Sequence, residues 1–107
     1  KKNFYYKTLG VSMDEAIKNI KIEQPNYIKM DVDGIEHLIL KGASNTLKNV
    51  ESILIEVNKQ NRKQSEEIEK YLIDSNFTIK KSKQIEVIEN FKNVPYFFNE
   101  IWEKNEN

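Results

Sequence analysis

The stretch from Tyr27 to Ala43, YIKMDVDGIEHLILKGA, contains the side chains best suited to chemistry. An apolar run ends in two aspartates and a glycine, and a glutamate and a histidine follow where a helical pattern begins. Carboxylates at such a point could cap the helix, act as general acid or base, or bind a cation. The pattern therefore has both a structural and a chemical interpretation.

Helix capping explains most of this stretch. Asp33 as N-cap and Glu36 at the N3 position would form an aspartate version of the capping box, and Gly34 would ease the tight turn. His37 is the only histidine and falls in the first helical turn, which favours a surface or packing role. Capping does not explain Asp31, which is therefore the first candidate for a chemical role.

The rest of the chain alternates between strand and helix patterns. Strands are predicted at residues 4–8, 27–32, 51–58, 77–81, 84–89 and 96–102. Helices are predicted at 13–20, from Ile35 to Lys41 with Gly42 as C′, and from Ser65 to a stop at Asn76, with one further turn at 44–49. This order predicts an α/β parallel sheet with an antiparallel C-terminal edge, whose ligands would lie beyond the carboxyl ends of the strands.

The composition narrows the class of protein. The 107 residues predict one domain, and the balance of 17 basic and 17 acidic residues gives no reason to expect nucleic acid or an anionic membrane as partner. The chain has no cysteine and no apolar run long enough to span a bilayer, so a cytoplasmic location is expected. The chain begins with Lys1 rather than methionine, which suggests a piece of a longer protein.

The stretch has two other chemical interpretations. A calcium-binding EF-hand loop with Gly34 at its sixth position would place Lys29 first and Leu40 twelfth, where acids are required, so it is rejected. The segment MDVDG resembles the D-x-D-G of haloacid-dehalogenase-type phosphatases. Ile35 stands where threonine is usual, however, and no downstream acidic pair is found, so a phosphatase remains a less favoured alternative.

The central segment resembles the C-terminal half of the FkbM family of S-adenosylmethionine-dependent methyltransferases. That family has a strand ending I-K-x-D-x-E/D-G-x-E, a helix ending L-x-G-A, and a strand ending in glutamate. The matching residues are Ile28, Lys29, Asp31, Asp33, Gly34, Glu36, Leu40, Gly42, Ala43 and Glu56. The resemblance covers residues 9–81 approximately.

The resemblance implies a fold and a reaction. The fold would be a Rossmann-like class I methyltransferase sheet, with the strand at 27–32 as its fourth strand and the tail strands as its antiparallel edge. The reaction would transfer a methyl group from S-adenosylmethionine to a hydroxyl of a sugar or other small acceptor.

The resemblance also implies roles for individual residues. Asp31 would be the general base or a ligand of a divalent metal, if one is used. Lys29 and Glu36 are the other catalytic candidates, and Asp33, Glu56 and His37 are the candidates for binding the acceptor.

One family feature is missing from the sequence. Gly10, Gly34 and Gly42 form no G-x-G arrangement, so the glycine-rich loop that binds the cofactor is absent. Residues 1–107 are therefore interpreted as a single partial domain without its cofactor-binding half, inactive alone. An exposed sheet edge predicts dimerisation or domain swapping. A non-catalytic remnant or interaction module with the same fold remains the alternative.

Overall fold

The computed structural model describes residues 3–84 and 96–106. In chain order the elements are α1 (Met13–Asn19), β1 (Tyr27–Met30), α2 (Glu36–Lys41), a 3₁₀ helix (Thr46–Asn49), β2 (Ser52–Asn58), α3 (Arg62–Asp74), β3 (Phe77–Gln84) and β4 (Phe97–Lys104). The strands form one sheet in the order β1-β2-β4-β3, with β1 parallel to β2 and β4 antiparallel to both of its neighbours. The predicted α/β class with parallel and antiparallel pairing is confirmed.

One face of the sheet forms the core. Side chains of β2 alternate strictly between buried and half-buried, as expected for a strand with one covered face. The buried set from β2 joins Leu40 of α2 and two residues of α3 in one apolar cluster; the residues of β2 and α3 in it are Ile53, Ile55, Val57, Ile68 and Leu72. Within the described residues no helix is long and apolar enough to cross a membrane.

Two predicted strands are not found as predicted. Residues 3–12 form neither helix nor strand, and Phe4, Tyr5 and Tyr6 are 86–90% exposed. A strand needs a neighbour to pair its backbone groups, and no described strand pairs with this segment. Of the predicted strand at 84–89, only Gln84 lies in the described residues, where it ends β3.

Several element ends differ from the predicted ones. Strand β1 ends at Met30 rather than at residue 32, so Asp31 lies just beyond the strand. Helix α3 begins at Arg62 rather than at Ser65, because the Asn61 side chain accepts a hydrogen bond from the Gln64 backbone N–H at 3.3 Å and caps the helix earlier. Ile73, predicted on the apolar face of α3, is 54% exposed.

Gly42 ends α2 for a reason other than the one predicted. Its φ of −90° is right-handed, so it is not the left-handed C′ residue that the sequence suggested. A Cβ atom at Gly42 would lie 2.8 Å from the Cβ of Ser12, the residue that caps α1. A side chain is therefore excluded by the close approach of the two helix ends.

Asp14 joins α1 to the 3₁₀ helix. Its carboxylate accepts hydrogen bonds from the Thr46 hydroxyl at 2.7 Å, the Thr46 N–H at 2.8 Å and the Asn45 N–H at 3.1 Å. Burial alone would raise the pKa of Asp14. The hydrogen bonds from Thr46, Asn45 and Ser44 outweigh burial and hold this pKa below its ordinary value.

Replacing Asp14 by asparagine should lower the free energy of unfolding by about 1–3 kcal/mol, because an ionised acceptor of several bonds is lost. Urea denaturation at pH 7 measures this. The contribution is present above the ordinary pKa of 3.8 and disappears as the pH falls through the lower folded value, so the difference should vanish in acid. Glu15→Gln, which removes an exposed neighbouring charge, is the control. Equal urea midpoints for Asp14→Asn and the unsubstituted protein would contradict this role.

Candidate functional site

The carboxyl ends of β1 and β2 open into a small cleft. A cavity of about 170 Å³ lies there, between the sheet and the first turns of α2 and α3. It is lined by Asp33, Gly34, Glu36, Glu56, Asn58, Gln64, Ile68 and Phe97. The cavity lies beyond the strand ends, where the sequence analysis expects ligands to bind, and the site itself stays a prediction.

Asp31 and Glu56 meet beside this cleft. The last paired residues of β1 and β2 are Met30 and Ile55, so each acid stands one residue further along its strand. Burial raises the pKa of Glu56 to about 7, and the hydrogen bond and negative charge of Asp31 act in the same direction, as do the charges of Asp33 and Glu36. Glu56 therefore keeps its proton to a higher pH than an ordinary glutamate, next to the Asp31 carboxyl.

The loop between β1 and α2 is held by hydrogen bonds on both sides of Gly34. Asp33 and Gly34 both have positive φ angles, 57° and 108°. The Gly34 N–H donates to the Glu36 carboxylate at 2.8 Å, and the Gly34 carbonyl accepts from the Gln64 side-chain amide. Glu36 is only 4% exposed, so its charge depends on this contact with the loop.

The predicted N-cap of α2 is wrong. Ile35, not Asp33, occupies that position, and it makes no side-chain capping bond. Asp33 adopts a left-handed conformation, which directs the chain away from capping geometry and leaves its carboxylate on the cleft wall. Glu36 does return to a backbone N–H as predicted, but the donor is Gly34.

Two predicted site residues lie elsewhere. Lys29 is exposed on β1 and does not line the cleft, and no ion pair joins it to Asp31 among the described residues. His37 lines a different cavity together with Lys41 and Lys63. The Nδ1 atom of His37 is buried without a hydrogen-bond partner in the described part of the chain.

Sequence reasoning missed three residues of the cleft. Gln64 had a usable signal, because N-x-x-Q at residues 61–64 is a capping pattern that places α3 against the loop. Asn58 could have been found as the next residue after Glu56 on the same face of a strand of period two. Phe97 had no local signal, since only the antiparallel return of β4 brings its first residue to this end of the sheet.

A buried ion pair lies on the covered face of the same sheet. Glu100 is 1% exposed, and its carboxylate is 2.8 Å from the Lys59 ammonium and 3.2 Å from the Trp102 ring nitrogen, which donates to it. A charge buried to this degree requires such partners. Lys59, which follows β2, is therefore already paired with Glu100.

The described residues contain no group of side chains that would support the predicted metal site. Within residues 3–84 and 96–106, no three histidine, aspartate or glutamate side chains are grouped so that they could hold an ion. Asp31 as a metal ligand stays a prediction.

Comparison with known proteins agrees with the geometry. The family model described as "Methyltransferase FkbM domain" matches residues 4–101, so the chain belongs to the FkbM methyltransferase family. It is also similar to the hexuronic acid methyltransferase AglP of Haloferax volcanii, with 36% identity over 47 residues. That match covers 44% of this chain and 20% of the relative. No solved structure matches.

The raised pKa of Glu56 predicts an unusual pH dependence of stability. Between its ordinary pKa of 4.5 and about 7, the folded protein binds this proton more tightly than the unfolded chain, so the free energy of unfolding should fall as pH rises. Glu56→Gln cannot ionise and should be more stable than the unsubstituted protein at pH 8 by on the order of 1 kcal/mol, allowing for solvent screening. Urea denaturation at pH 5 and 8, with Glu66→Gln as control, measures the difference. A Glu56→Gln variant with the same pH profile as the unsubstituted protein would refute the raised pKa of Glu56.

The hydrogen bond from the Gln64 side-chain amide to the Gly34 carbonyl leads to a prediction about the stability of the loop. Gln64→Met keeps the length of the side chain but removes the donor to Gly34, so Gly34 amide exchange should become about tenfold faster. Gln24→Met is a matched control, because the Gln24 amide donates to the Thr46 carbonyl at 2.9 Å outside the cleft. Hydrogen exchange followed by NMR separates the two. Equal Gly34 exchange in both variants would show that Gln64 does not hold the loop.

Proposed function

We propose that this chain forms the acceptor side of an S-adenosylmethionine-dependent methyltransferase that methylates a hydroxyl group of a sugar or other small molecule. The observation that carries the proposal is the carboxyl pair of Asp31 and Glu56, which stands at the strand ends in a chain of the FkbM family. The relative named for a hexuronic acid supports a saccharide acceptor.

The pair has the properties of a general base. A base is most effective when its pKa lies near the working pH, and the pKa of Glu56 is raised to about 7. In the proposed reaction, with Glu56 ionised, Asp31 accepts the proton of the acceptor hydroxyl, and the pair is left with a single negative charge. Glu36 and Gln64 hold the loop that carries Asp31, while Asp33 and Asn58 offer hydrogen-bonding groups to the acceptor.

The strand order supports a Rossmann-like class I sheet. If β1 and β2 are the fourth and fifth strands, β3 is the sixth and β4 is the seventh, inserted antiparallel between the fifth and sixth. Helices α2 and α3 would then follow the fourth and fifth strands.

The cofactor requires residues that this chain does not supply. S-adenosylmethionine provides an electrophilic methyl group, and its usual cradle is a glycine-rich loop after a strand. Gly10, Gly34 and Gly42 form no such loop. We therefore propose that the 107 residues alone bind the cofactor poorly and do not turn over. A divalent cation held by Asp31 is a variant of the same proposal, in which the cation would lower the pKa of the hydroxyl.

The uncovered surfaces of the sheet support a further partner. β1 is an edge strand, and Leu54 and Ile101 pair as half-buried apolar residues on the face opposite the core. An edge strand such as β1 tends to pair with another chain segment. A homodimer or domain-swapped assembly is accordingly proposed, and sedimentation would test it.

The central test uses the protein expressed from its complete coding region and S-adenosylmethionine with a labelled methyl group. Asp31→Asn keeps the shape of the side chain but removes the base, so kcat should fall by about 100-fold or more. Asp74→Asn, which changes an exposed carboxylate at the far end of α3, should leave kcat unchanged.

Two outcomes would count against the proposal. Full activity of Asp31→Asn would remove this residue from the chemistry. Failure of the complete protein to methylate any hydroxyl acceptor, combined with retained binding to a protein partner, would favour the interaction module.

A further inference from the structure

The charge of the cleft at the ends of β1 and β2 restricts which acceptor can enter it. We propose that this cleft selects a saccharide hydroxyl on a neutral or amino-bearing sugar and rejects sugars that carry a carboxylate. The inference rests on the proposed function, because it names the substrate class of the same site.

The walls of the cleft are acidic. Asp33, Glu36 and Glu56 line it, and Asp31 lies against Glu56. None of the described residues that line it is lysine, arginine or histidine. Lys59, which follows β2, is already paired with Glu100 at 2.8 Å. An anionic sugar would therefore meet like charge without a counter-ion, which opposes binding.

The remaining walls suit a neutral sugar. Phe97 provides apolar surface, against which the C–H face of a pyranose ring can pack. Asn58 and the carboxyls provide donors and acceptors for hydroxyl groups.

This selectivity differs from what the name of the Haloferax relative describes. A hexuronic acid carries a carboxylate, for which a binding site normally supplies a cationic side chain. The described walls of this cleft supply none. An amino sugar, by contrast, would gain from the same carboxylates that repel a uronate.

The test compares three probes on the protein expressed from its complete coding region: methyl glucoside, glucosamine and glucuronate. Titration calorimetry at pH 8 and low salt should give a Kd for glucuronate about tenfold or more above that for methyl glucoside. Added salt should narrow the difference, because it screens like charges.

Charge-removing variants identify the source of the selectivity. The double variant Asp33→Asn with Glu56→Gln should bring the two Kd values closer together, and asparagine tolerates the left-handed backbone at position 33. Glu103→Gln removes an exposed carboxylate near the C-terminal end of β4, away from the cleft, and should leave the difference intact.

Glucuronate binding as tightly as methyl glucoside, with or without Mg²⁺, would overturn the inference, and so would failure of all three probes to bind. A labelled-methyl assay on the same samples keeps the two proposals apart. Selective binding of neutral sugars without methyl transfer would sink the proposed reaction but support the selectivity. Methylation of glucuronate at a kcat/KM equal to that of methyl glucoside would support the proposed reaction and overturn the selectivity.

Discussion

The parallel alignment of β1 with β2 is the constraint on which the candidate site depends. It pairs Met30 with Ile55 and so brings the next residues, Asp31 and Glu56, to the same height at the sheet edge. A shift of one residue would turn Asp31 toward the apolar core and separate the two carboxyls. The buried Met30 of β1 opposes such a shift, because the shift would turn Met30 out of the core. The same strand register therefore satisfies both the packing of the core and the geometry of the site.

Bringing four carboxyls together has a free-energy cost that the surrounding structure must offset. Glu36 is buried and retains a charge-assisted hydrogen bond from the Gly34 N–H. Glu56 is stabilised in its protonated form, because burial, and then the hydrogen bond and charge of Asp31, raise its pKa to about 7. Asp33 stays exposed and keeps its hydration. The arrangement thus mixes three ways of stabilising acids at one strand end.

Sequence patterns were sufficient to predict most helices and strands, but not the conformation of the loop between β1 and α2. The nearly continuous apolar run of β2 and the capping pattern at Ser12 located a strand and a helix to within a residue or two. The position of Asp31 at a strand end followed from the same reasoning. The left-handed backbone of Asp33 could not be foreseen, since it depends on Gln64, thirty residues from Gly34 in the chain. The N-terminal aromatic segment failed as a strand because β propensity expresses fit to a partner surface.

The strength of the proposed base depends on helix packing as much as on the acids themselves. An isolated aspartate or glutamate has a pKa near 4 and accepts a proton poorly at neutral pH. Burial of Glu56 makes the largest contribution to its raised pKa, and the hydrogen bond and charge of Asp31 add to it while the loop keeps the two carboxyls together. That loop is fixed at Gly34 by Glu36 of α2 and by Gln64 of α3, the two helices that pack against each other on the core face. Any motion that separates α2 from α3 would release the loop, lower the pKa of Glu56 and weaken the base. The packing of these two helices therefore controls the acid–base chemistry available in the cleft.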